Sequence, residues 1–230
     1  MKFAGDDDRI IAVQGEHPPA RGVAGHMIAV DLSGTELWRV RTGDECWGFD
    51  VSPNGRIAAA TCHDGFLYIV GDRGQLLHKI SLTAPGGRNG ETRFSPDGSR
   101  VLAGYGGRFK VVNVDDGRVV WESATQPQGE EVGAYRGRWS SDGQRLVTGF
   151  GGPVAAFTRD GQRLWTAHMG SSPLFLEVDE AYRLRRRQEQ RVIQLGSQRH
   201  TALEIPVVGD VQRRHARYVH RRPLHGHSRV

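Results

Sequence analysis

A four-residue turn motif recurs along this chain at a nearly constant interval, and it constrains the fold more than any other feature. Its three clear copies are Ser52-Pro-Asn-Gly55, Ser95-Pro-Asp-Gly98 and Ser140-Ser-Asp-Gly143, whose first residues are 43 and 45 positions apart. A fainter copy, Gly5-Asp-Asp-Asp8, lies 47 residues before the first of these. A repeat of this length predicts an array of similar supersecondary units rather than one irregular domain.

A second marker keeps the same interval: a glycine followed four residues later by a large ring. The four pairs are Gly34/Trp38, Gly74/His78, Gly117/Trp121 and Gly161/Trp165. Large rings at a fixed repeat position are typical of packing residues. We therefore interpret these eight residues as structural repeat positions, and His78 as a packed substitute for Trp rather than as a ligand.

Each unit consists of short β-type runs separated by turn residues. In the second unit the runs are ECWGFDV, RIAAATC, FLYIVGD and LLHKISL. The Pro, Asn or Asp, and Gly of the turn motif favour a tight turn, so each unit predicts four antiparallel strands joined by hairpins. One such sheet cannot bury both of its faces alone. Stacking the copies around an axis solves this problem and gives a β-propeller.

We therefore predict an all-β fold, a β-propeller built from four-stranded antiparallel blades and incomplete as a ring. The predicted repeat region is 1–182, with units at approximately 3–43, 44–86, 87–130 and 131–170 and a partial fifth from 171. Residues 183–230 form a separate tail rich in Arg and His. Because an open ring exposes strand edges and apolar faces, we also expect self-association.

The chain resembles two related repeat families at these residues. The run FSPDG, which ends at Gly98, is similar to WD40-like repeats, and the run AVDLSGTELW, which ends at Trp38, is similar to the signature of quinoprotein-type (PQQ-like) propeller repeats. The resemblance implies that each Trp docks on the neighbouring blade. It also implies an alternative function, that of a quinoprotein fragment with PQQ bound near the axis, for which Arg88, Arg108 and Glu131 are the nominated contacts.

Charge separates the two ends of the chain. Residues 183–230 hold twelve Arg, no Lys and three acidic residues and carry +9, so the formal +5 of the whole chain leaves −4 for residues 1–182.

After Leu184 we expect neither a hairpin turn nor a glycine–ring pair. Three interpretations stay open: a basic arm that binds nucleic acid, a solvated disordered tail, or the product of a frame slip near Arg185. The coding DNA would decide the last of these.

Candidate contact residues lie on loops that are expected to share one face of the propeller, where ligands usually bind. They are Glu45, Cys62, His63, Arg88, Tyr105, Arg108 and Glu131. Although His63 stands beside Cys62 and Asp64, no other His has a ligand spacing, and no H-E-x-x-H, G-x-S-x-G or P-loop motif occurs. The sequence therefore predicts no catalytic residue and no metal site.

Cys46 and Cys62 are predicted to lie nearly opposite each other on two strands of one hairpin. A disulfide is conceivable in that position. We expect two small buried thiols instead, because buried free cysteines behave as small apolar residues.

These features favour a non-enzymatic binding or scaffolding module that presents loops on a rigid ring to a protein or a small polar ligand. No cofactor is expected; PQQ belongs only to the quinoprotein alternative, and nucleic acid only to the basic tail. No run of eighteen apolar residues is present, so we expect no membrane span. The first residues, MKFAGDDDRI, lack the apolar segment of a signal peptide, which predicts a cytoplasmic protein.

Overall fold

Every regular element in the described part of the protein is a β-strand. The computed structural model describes residues 1–4, 8–14, 24–82, 89–123, 136–149, 153–168, 177–178, 184–185 and 192–193. These residues form nineteen strands in five antiparallel sheets, which we call blades 1 to 5. The fold is an all-β propeller that is incomplete as a ring, as predicted.

The strands of each blade follow one another along the chain. Blade 1 contains β1 (Lys2–Ala4), β2 (Arg9–Gln14), β3 (His26–Asp31) and β4 (Glu36–Arg41). Blade 2 contains β5 (Cys46–Val51), β6 (Ile57–Cys62), β7 (Phe66–Gly71) and β8 (Leu76–Ser81). Blade 3 contains β9 (Asn89–Phe94), β10 (Arg100–Tyr105), β11 (Arg108–Asn113) and β12 (Val119–Glu122). Blade 4 contains β13 (Arg136–Trp139), β14 (Arg145–Gly149), β15 (Pro153–Thr158) and β16 (Arg163–His168). Blade 5 contains β17 (Glu177–Val178), β18 (Leu184–Arg185) and β19 (Val192–Ile193).

The recurring turn motif closes the hairpin between the first two strands of blades 2, 3 and 4. In blade 2, Gly55 donates its N–H to the carbonyl oxygen of Ser52 (2.8 Å), and the Ser52 hydroxyl donates to Asn54 (2.7 Å). Gly55 has a φ of 68°, a left-handed conformation that favours glycine. Each of these hairpins uses the Ser hydroxyl, the side-chain oxygen of Asn or Asp, and a glycine in the left-handed conformation. This shared requirement explains why the motif is repeated.

The core lies between the blades, because each sheet packs one face against the next blade. Between blades 1 and 2, Met27 and Ala29 meet Tyr68 and Val70. The equivalent layers between later blades contain, for example, Ile69 with Val112 and Phe109 with Phe157. The first strands lie innermost, with β9 packed between β5 and β13.

The ring of each of the first three glycine–ring pairs docks on the glycine turn of the following blade. Trp38 donates its indole N–H to the carbonyl oxygen of Asp72 (3.0 Å), and its side chain covers Gly74, where a Cβ atom would lie 2.7 Å from that of Trp38. His78 covers Gly117 in the same way. Glycine is required at these turns because a larger residue would collide with the ring.

Trp121 repeats this contact one blade further along. Its indole N–H donates to the carbonyl oxygen of Arg159 (2.9 Å), and its ring lies against Gly161. The His78 ring lies 3.2 Å from the Asp115 carbonyl oxygen, so His78 occupies the place of a Trp in this series.

Trp165, the ring of the fourth pair, is half-buried on β16, where it pairs with Ala156 of β15. Trp38 pairs with Ala29 in the same way, so Trp165 occupies the equivalent position of blade 4. It differs from the other three rings because the next glycine of a glycine–ring pair in the sequence, Gly196, lies outside the described residues. The described residues therefore do not confirm that Trp165 docks on a neighbouring blade, and this role stays a prediction.

Strand pairing continues beyond Leu184, where hairpins were expected to end. Leu184 pairs with Val178 on one side and with Ile193 on the other. The sequence also holds a further glycine–ring pair, Gly196-Ser-Gln-Arg-His200, so the expectation that the tail has none is wrong. Its ring is a histidine, as in the second unit. Residues 194–230, to which the three interpretations of the tail apply, lie outside the described residues.

Candidate functional site

Two buried carboxylates lie on the innermost strands, close to the axis of the propeller. Asp50 on β5 is 5% exposed, and Glu91 on β9 is 8% exposed. Asp50 accepts a hydrogen bond from the Phe94 N–H (2.9 Å), and Glu91 accepts one from the Gly137 N–H (2.8 Å). Each carboxylate therefore satisfies a backbone donor on the innermost strand of the next blade.

Cations complete this arrangement, which we call the axial ladder (Lys2, Asp50, Glu91, Arg93 and Arg138). Asp50 pairs with Lys2 and with Arg93 (3.8 Å), and Glu91 pairs with Arg93 and with Arg138 (2.6 Å). Buried charges are tolerated when they are paired and hydrogen-bonded. The axial ladder thus joins the innermost strands of four successive blades.

None of the candidate contact residues predicted from the sequence belongs to the axial ladder, although the repeat contains a signal for it. Asp50, Arg93 and Arg138 each stand two residues before the serine of a turn motif. Opposite charges at equivalent positions of neighbouring units indicate pairs that can meet across a blade boundary.

An open cavity of about 210 Å³ adjoins the axial ladder. Three successive innermost strands line it, through Trp47, Gly48, Phe49, Gly90, Glu91, Arg93 and Arg136. The cavity lies near the first residues of β5 and β9. It therefore opens toward the loops that precede the innermost strands.

Trp47 stands at the rim of this cavity and is 62% exposed. The β5–β6 register shifts between Cys46 and Gly48, so Trp47 is the extra residue of a bulge. Its indole N–H donates to a Glu45 carboxylate oxygen (2.9 Å), and its ring makes a T-shaped contact with the His63 ring at a centroid distance of 5.6 Å. Trp47 is consequently held in one orientation while most of its surface faces solvent.

Gly48, next to Trp47, allows the innermost strands of blades 2 and 3 to approach closely. A Cβ atom at Gly48 would overlap Thr61 Oγ1 and the Gly90 carbonyl oxygen. The close approach lets the hydroxyls of Thr61 and Thr92 hydrogen-bond at 3.1 Å.

Cys46 and Cys62 form a disulfide, and the expectation of two free thiols is wrong. The two residues are direct partners in the β5–β6 pairing, which is the position predicted for them. Opposed side chains on paired strands are close enough for a covalent bond, and the sequence could not specify the oxidation state. The bond fixes the strand immediately before the Trp47 bulge.

The described candidate residues fall into two groups on the loop face. Glu45, Cys62 and His63 lie together beside Trp47: the His63 N–H donates to the Glu45 carbonyl oxygen (2.9 Å), and the His63 ring nitrogen lies 3.8 Å from the Glu45 carboxylate. Tyr105 and Arg108 border the β10–β11 turn of blade 3. Arg88 and Glu131 lie outside the described residues.

Tyr105 is only 6% exposed, which limits its contact with a ligand. Burial, reinforced by the nearby Glu122 carboxylate, raises the pKa of the Tyr105 hydroxyl. The Lys110 ammonium lies 5.6 Å from the centre of its ring. Arg108, by contrast, is exposed.

A second polar cluster supports the loop next to Glu45. The Tyr68 hydroxyl donates to Asp64 (2.5 Å) and accepts from the Gly43 N–H (2.9 Å). Burial and the hydrogen bond to Asp64 raise the pKa of Tyr68, so its hydroxyl remains a donor at neutral pH. Lys79 lies above the Phe66 ring at 4.2 Å. The described residues include no group of three or more His, Cys, Asp or Glu side chains that could hold a metal ion.

The blade order, the glycine–ring contacts and the innermost strands define a β-propeller of PQQ-like repeats. A family model described as "Outer membrane protein assembly factor BamB" matches residues 23–210, and the chain belongs to this PQQ-repeat family. The match continues past Leu184 and includes the Gly196/His200 pair. No curated protein matches the chain. None of the described residues forms a helix that could span a membrane.

Proposed function

We propose that the protein is a non-enzymatic binding module whose loop face engages a protein partner through Trp47 and the rim of the adjacent cavity. The single observation that carries this proposal is the exposed Trp47 ring, which the bulge, Glu45 and His63 hold in one orientation. Trp residues are enriched among the few side chains that dominate binding energy in interfaces. A fixed ring also loses little conformational entropy on binding.

A protein partner is favoured over a small ligand by the family and by the shape of the site. The family description names an assembly factor for outer membrane proteins, and assembly requires contact with other polypeptides. The cavity is small and open, and the Trp47 ring at its rim offers a surface rather than an enclosed pocket. Neither the family nor the described residues favour nucleic acid as a partner.

The quinoprotein alternative fits the described residues poorly. A calcium-bound quinone needs carboxylates that are available to the metal. Asp50 and Glu91, the buried carboxylates near the axis, are already engaged with cations and backbone N–H groups. We therefore propose that the protein works without a redox cofactor. PQQ added with Ca²⁺ should leave the tryptophan fluorescence of the full chain unchanged, and saturable quenching would instead favour the alternative.

The disulfide supports a location other than the expected cytoplasm. Disulfides persist in oxidising compartments and are rare in the cytosol. We propose that the protein works in the oxidising cell envelope of a bacterium, which agrees with the family description. Alkylation of cells with a membrane-permeable reagent before lysis tests this: modified Cys46 and Cys62 in the native protein would contradict it.

Site-specific photo-crosslinking tests the proposed binding face. Benzoylphenylalanine in place of Trp47 should yield a discrete adduct with another polypeptide in cells, identified by mass spectrometry. The control places the same group at Leu164, an exposed apolar residue on β16, away from the loop face. Absence of an adduct at position 47, or the same adducts at both positions, would contradict the proposal.

A further inference from the structure

One ring nitrogen of His63 is buried and has no hydrogen-bond partner among the described residues. His63 directly follows β6, and its side chain is 27% exposed, but its Nε2 atom is shielded from solvent. That atom lies 3.8 Å from Glu45 Oε1, which is too far for a hydrogen bond. Since buried polar atoms are nearly always paired in native folds, this nitrogen indicates a contact that forms only in another protonation state.

The oxygen that faces His63 is also the one that holds Trp47. Glu45 Oε1 accepts the hydrogen bond from the Trp47 indole N–H (2.9 Å). The Glu45 side chain is only 16% exposed, so few water molecules can reach it. A carboxylate oxygen has two lone pairs and can accept from the indole and the imidazole together. Glu45 therefore connects the His63 ring to Trp47.

The backbone beneath this contact is held in place. The disulfide joins Cys46 and Cys62, the residues next to Glu45 and His63. The His63 N–H also donates to the Glu45 carbonyl oxygen (2.9 Å). Closing the distance between the two side chains from 3.8 Å to the roughly 2.8 Å of a charge-assisted bond needs a movement of about 1 Å. A charge on His63 would consequently move side chains and leave the strands where they are.

Glu45 is the described carboxylate that is best placed to respond to a charge on His63. Two neighbouring carboxylates have donors of their own: Asp44 accepts the Glu45 N–H (2.8 Å), and Asp64 accepts the Tyr68 hydroxyl. Other described charged groups in this region are Lys79, which pairs with Asp64, and the cavity residues Glu91, Arg93 and Arg136. Glu45 is thus the group whose bonding a charge on His63 would change most.

We propose that His63 is a pH-sensitive switch that fixes the Trp47 ring when the imidazole is protonated; its effect on binding rests on the proposed function of Trp47. Histidine gains and loses its charge between about pH 5 and 8, and both nitrogens of the charged ring are donors. A proton from solvent makes His63 Nε2 a charge-assisted donor to Glu45, and such bonds are roughly twice as strong as neutral ones. Trp47 then binds its partner more tightly at acidic pH, because a fixed ring loses less freedom on binding.

Nuclear magnetic resonance of the full chain, labelled at the tryptophan indole nitrogens, tests the switch without a partner. Between about pH 5 and 8 the Trp47 signal, identified by its absence in Trp47→Phe, should follow one titration curve. His63→Gln should abolish the curve. Glu45→Gln should abolish it as well, because Trp47 keeps an acceptor while His63 loses its charge partner. The Trp38 signal should stay in place, since its N–H donates to a backbone carbonyl oxygen.

The matched control is His26→Gln, which replaces a half-buried histidine on β3. The Trp47 titration should persist in this variant, and unchanged signals of the other indoles show that each variant folds. A Trp47 signal that is constant with pH, or a titration that survives His63→Gln or is lost equally in His26→Gln, would overturn the switch. A constant signal together with a discrete photo-adduct at position 47 refutes the switch alone. A titration without an adduct refutes the proposed function and leaves the control of ring orientation standing.

Discussion

Single ring side chains connect consecutive blades, and each one combines packing with one hydrogen bond. Trp121 illustrates the arrangement: its ring meets Phe109 at a centroid distance of 5.1 Å and Phe157 at 5.3 Å, and its N–H reaches the Arg159 carbonyl oxygen. Such aromatic contacts contribute beyond the area that they bury. The contact between blades therefore explains why a large ring recurs at this position of the repeat.

Trp121→Ala should lower the free energy of unfolding by about 2–4 kcal/mol, because it leaves a cavity between blades 3 and 4 and an unpaired carbonyl group. Urea unfolding followed by circular dichroism measures the loss. Leu164→Ala, at an exposed position on β16, should change the same quantity by less than about 0.5 kcal/mol. Equal losses in the two variants would contradict the docking role of the ring.

Asp97 links the turn of blade 3 to blade 4 and makes this contact sensitive to acid. Burial opposes its ionisation, but the Ser95 hydroxyl (2.6 Å), Arg159 (2.7 Å) and Ser99 together lower the pKa of the Asp97 carboxyl. Because the pKa of the Asp97 carboxyl is lower in the native state, this carboxylate stabilises the fold above 3.8, its pKa in the unfolded chain. The stabilisation is lost as the pH falls through the native-state pKa of Asp97.

Asp97→Asn should therefore be less stable than the wild type at pH 7, and the difference should shrink steadily below pH 3.8. Unfolding at a series of pH values measures it. A difference that stays constant between neutral and strongly acidic pH would show that the carboxylate charge is not responsible.

At the scale of strands, the axial ladder connects the innermost strands of successive blades, which belong to different sheets and do not pair with one another. Glu91→Gln keeps the shape of the side chain but leaves Arg93 and Arg138 without its charge. We expect a loss of about 2–4 kcal/mol in the free energy of unfolding, because breaking a buried ion pair leaves uncompensated charge.

The control for this change is Glu122→Gln, which removes the exposed partner of Lys110, 3.7 Å away. Exposed ion pairs contribute about 0–1 kcal/mol, so this variant should be nearly as stable as the wild type. Chemical denaturation of the two variants side by side separates the outcomes. A Glu91→Gln protein as stable as the wild type would mean that the axial ladder does not stabilise the blades.

The disulfide between β5 and β6 closes a short loop, with a sequence separation of 16 between Cys46 and Cys62. Replacing both cysteines by alanine should lower the free energy of unfolding by about 3 kcal/mol, since the unfolded chain is no longer constrained. Unfolding with and without reductant measures the effect in the wild type. Two alkylatable thiols in the native, unreduced protein would contradict the presence of the bond.

The sequence predicts strands and turns well here and predicts the candidate site less well. The tetrad Ser52 to Gly55 specifies its hairpin through local hydrogen bonds, which depend only on neighbouring residues. The bulge at Trp47 depends on the register of β5 against β6 and on the space that Gly48 leaves for Thr61. Such non-local contacts have no signature in the run ECWGFDV, so the exposure of Trp47 became evident only in the fold.

At the scale of the whole molecule, the repeat predicts an open ring because its fifth unit is only partial. Burial in the described residues agrees: β6 and β10 are buried at almost every position, while β2 and β3 of blade 1 alternate. In the tail, the expectation of no further glycine–ring pair is wrong, because His78 shows that the repeat accepts a histidine and Gly196/His200 has the same spacing.

Hydrogen exchange measured by mass spectrometry on dilute full-length protein tests the open propeller most directly. Amides of β6, β10 and β14 should exchange slowly, because their blades are covered on both faces, and those of β2 and β3 should exchange markedly faster. Protection of β2 and β3 equal to that of β6 in a monomer would show that blade 1 is covered within the same chain, and would contradict the open ring.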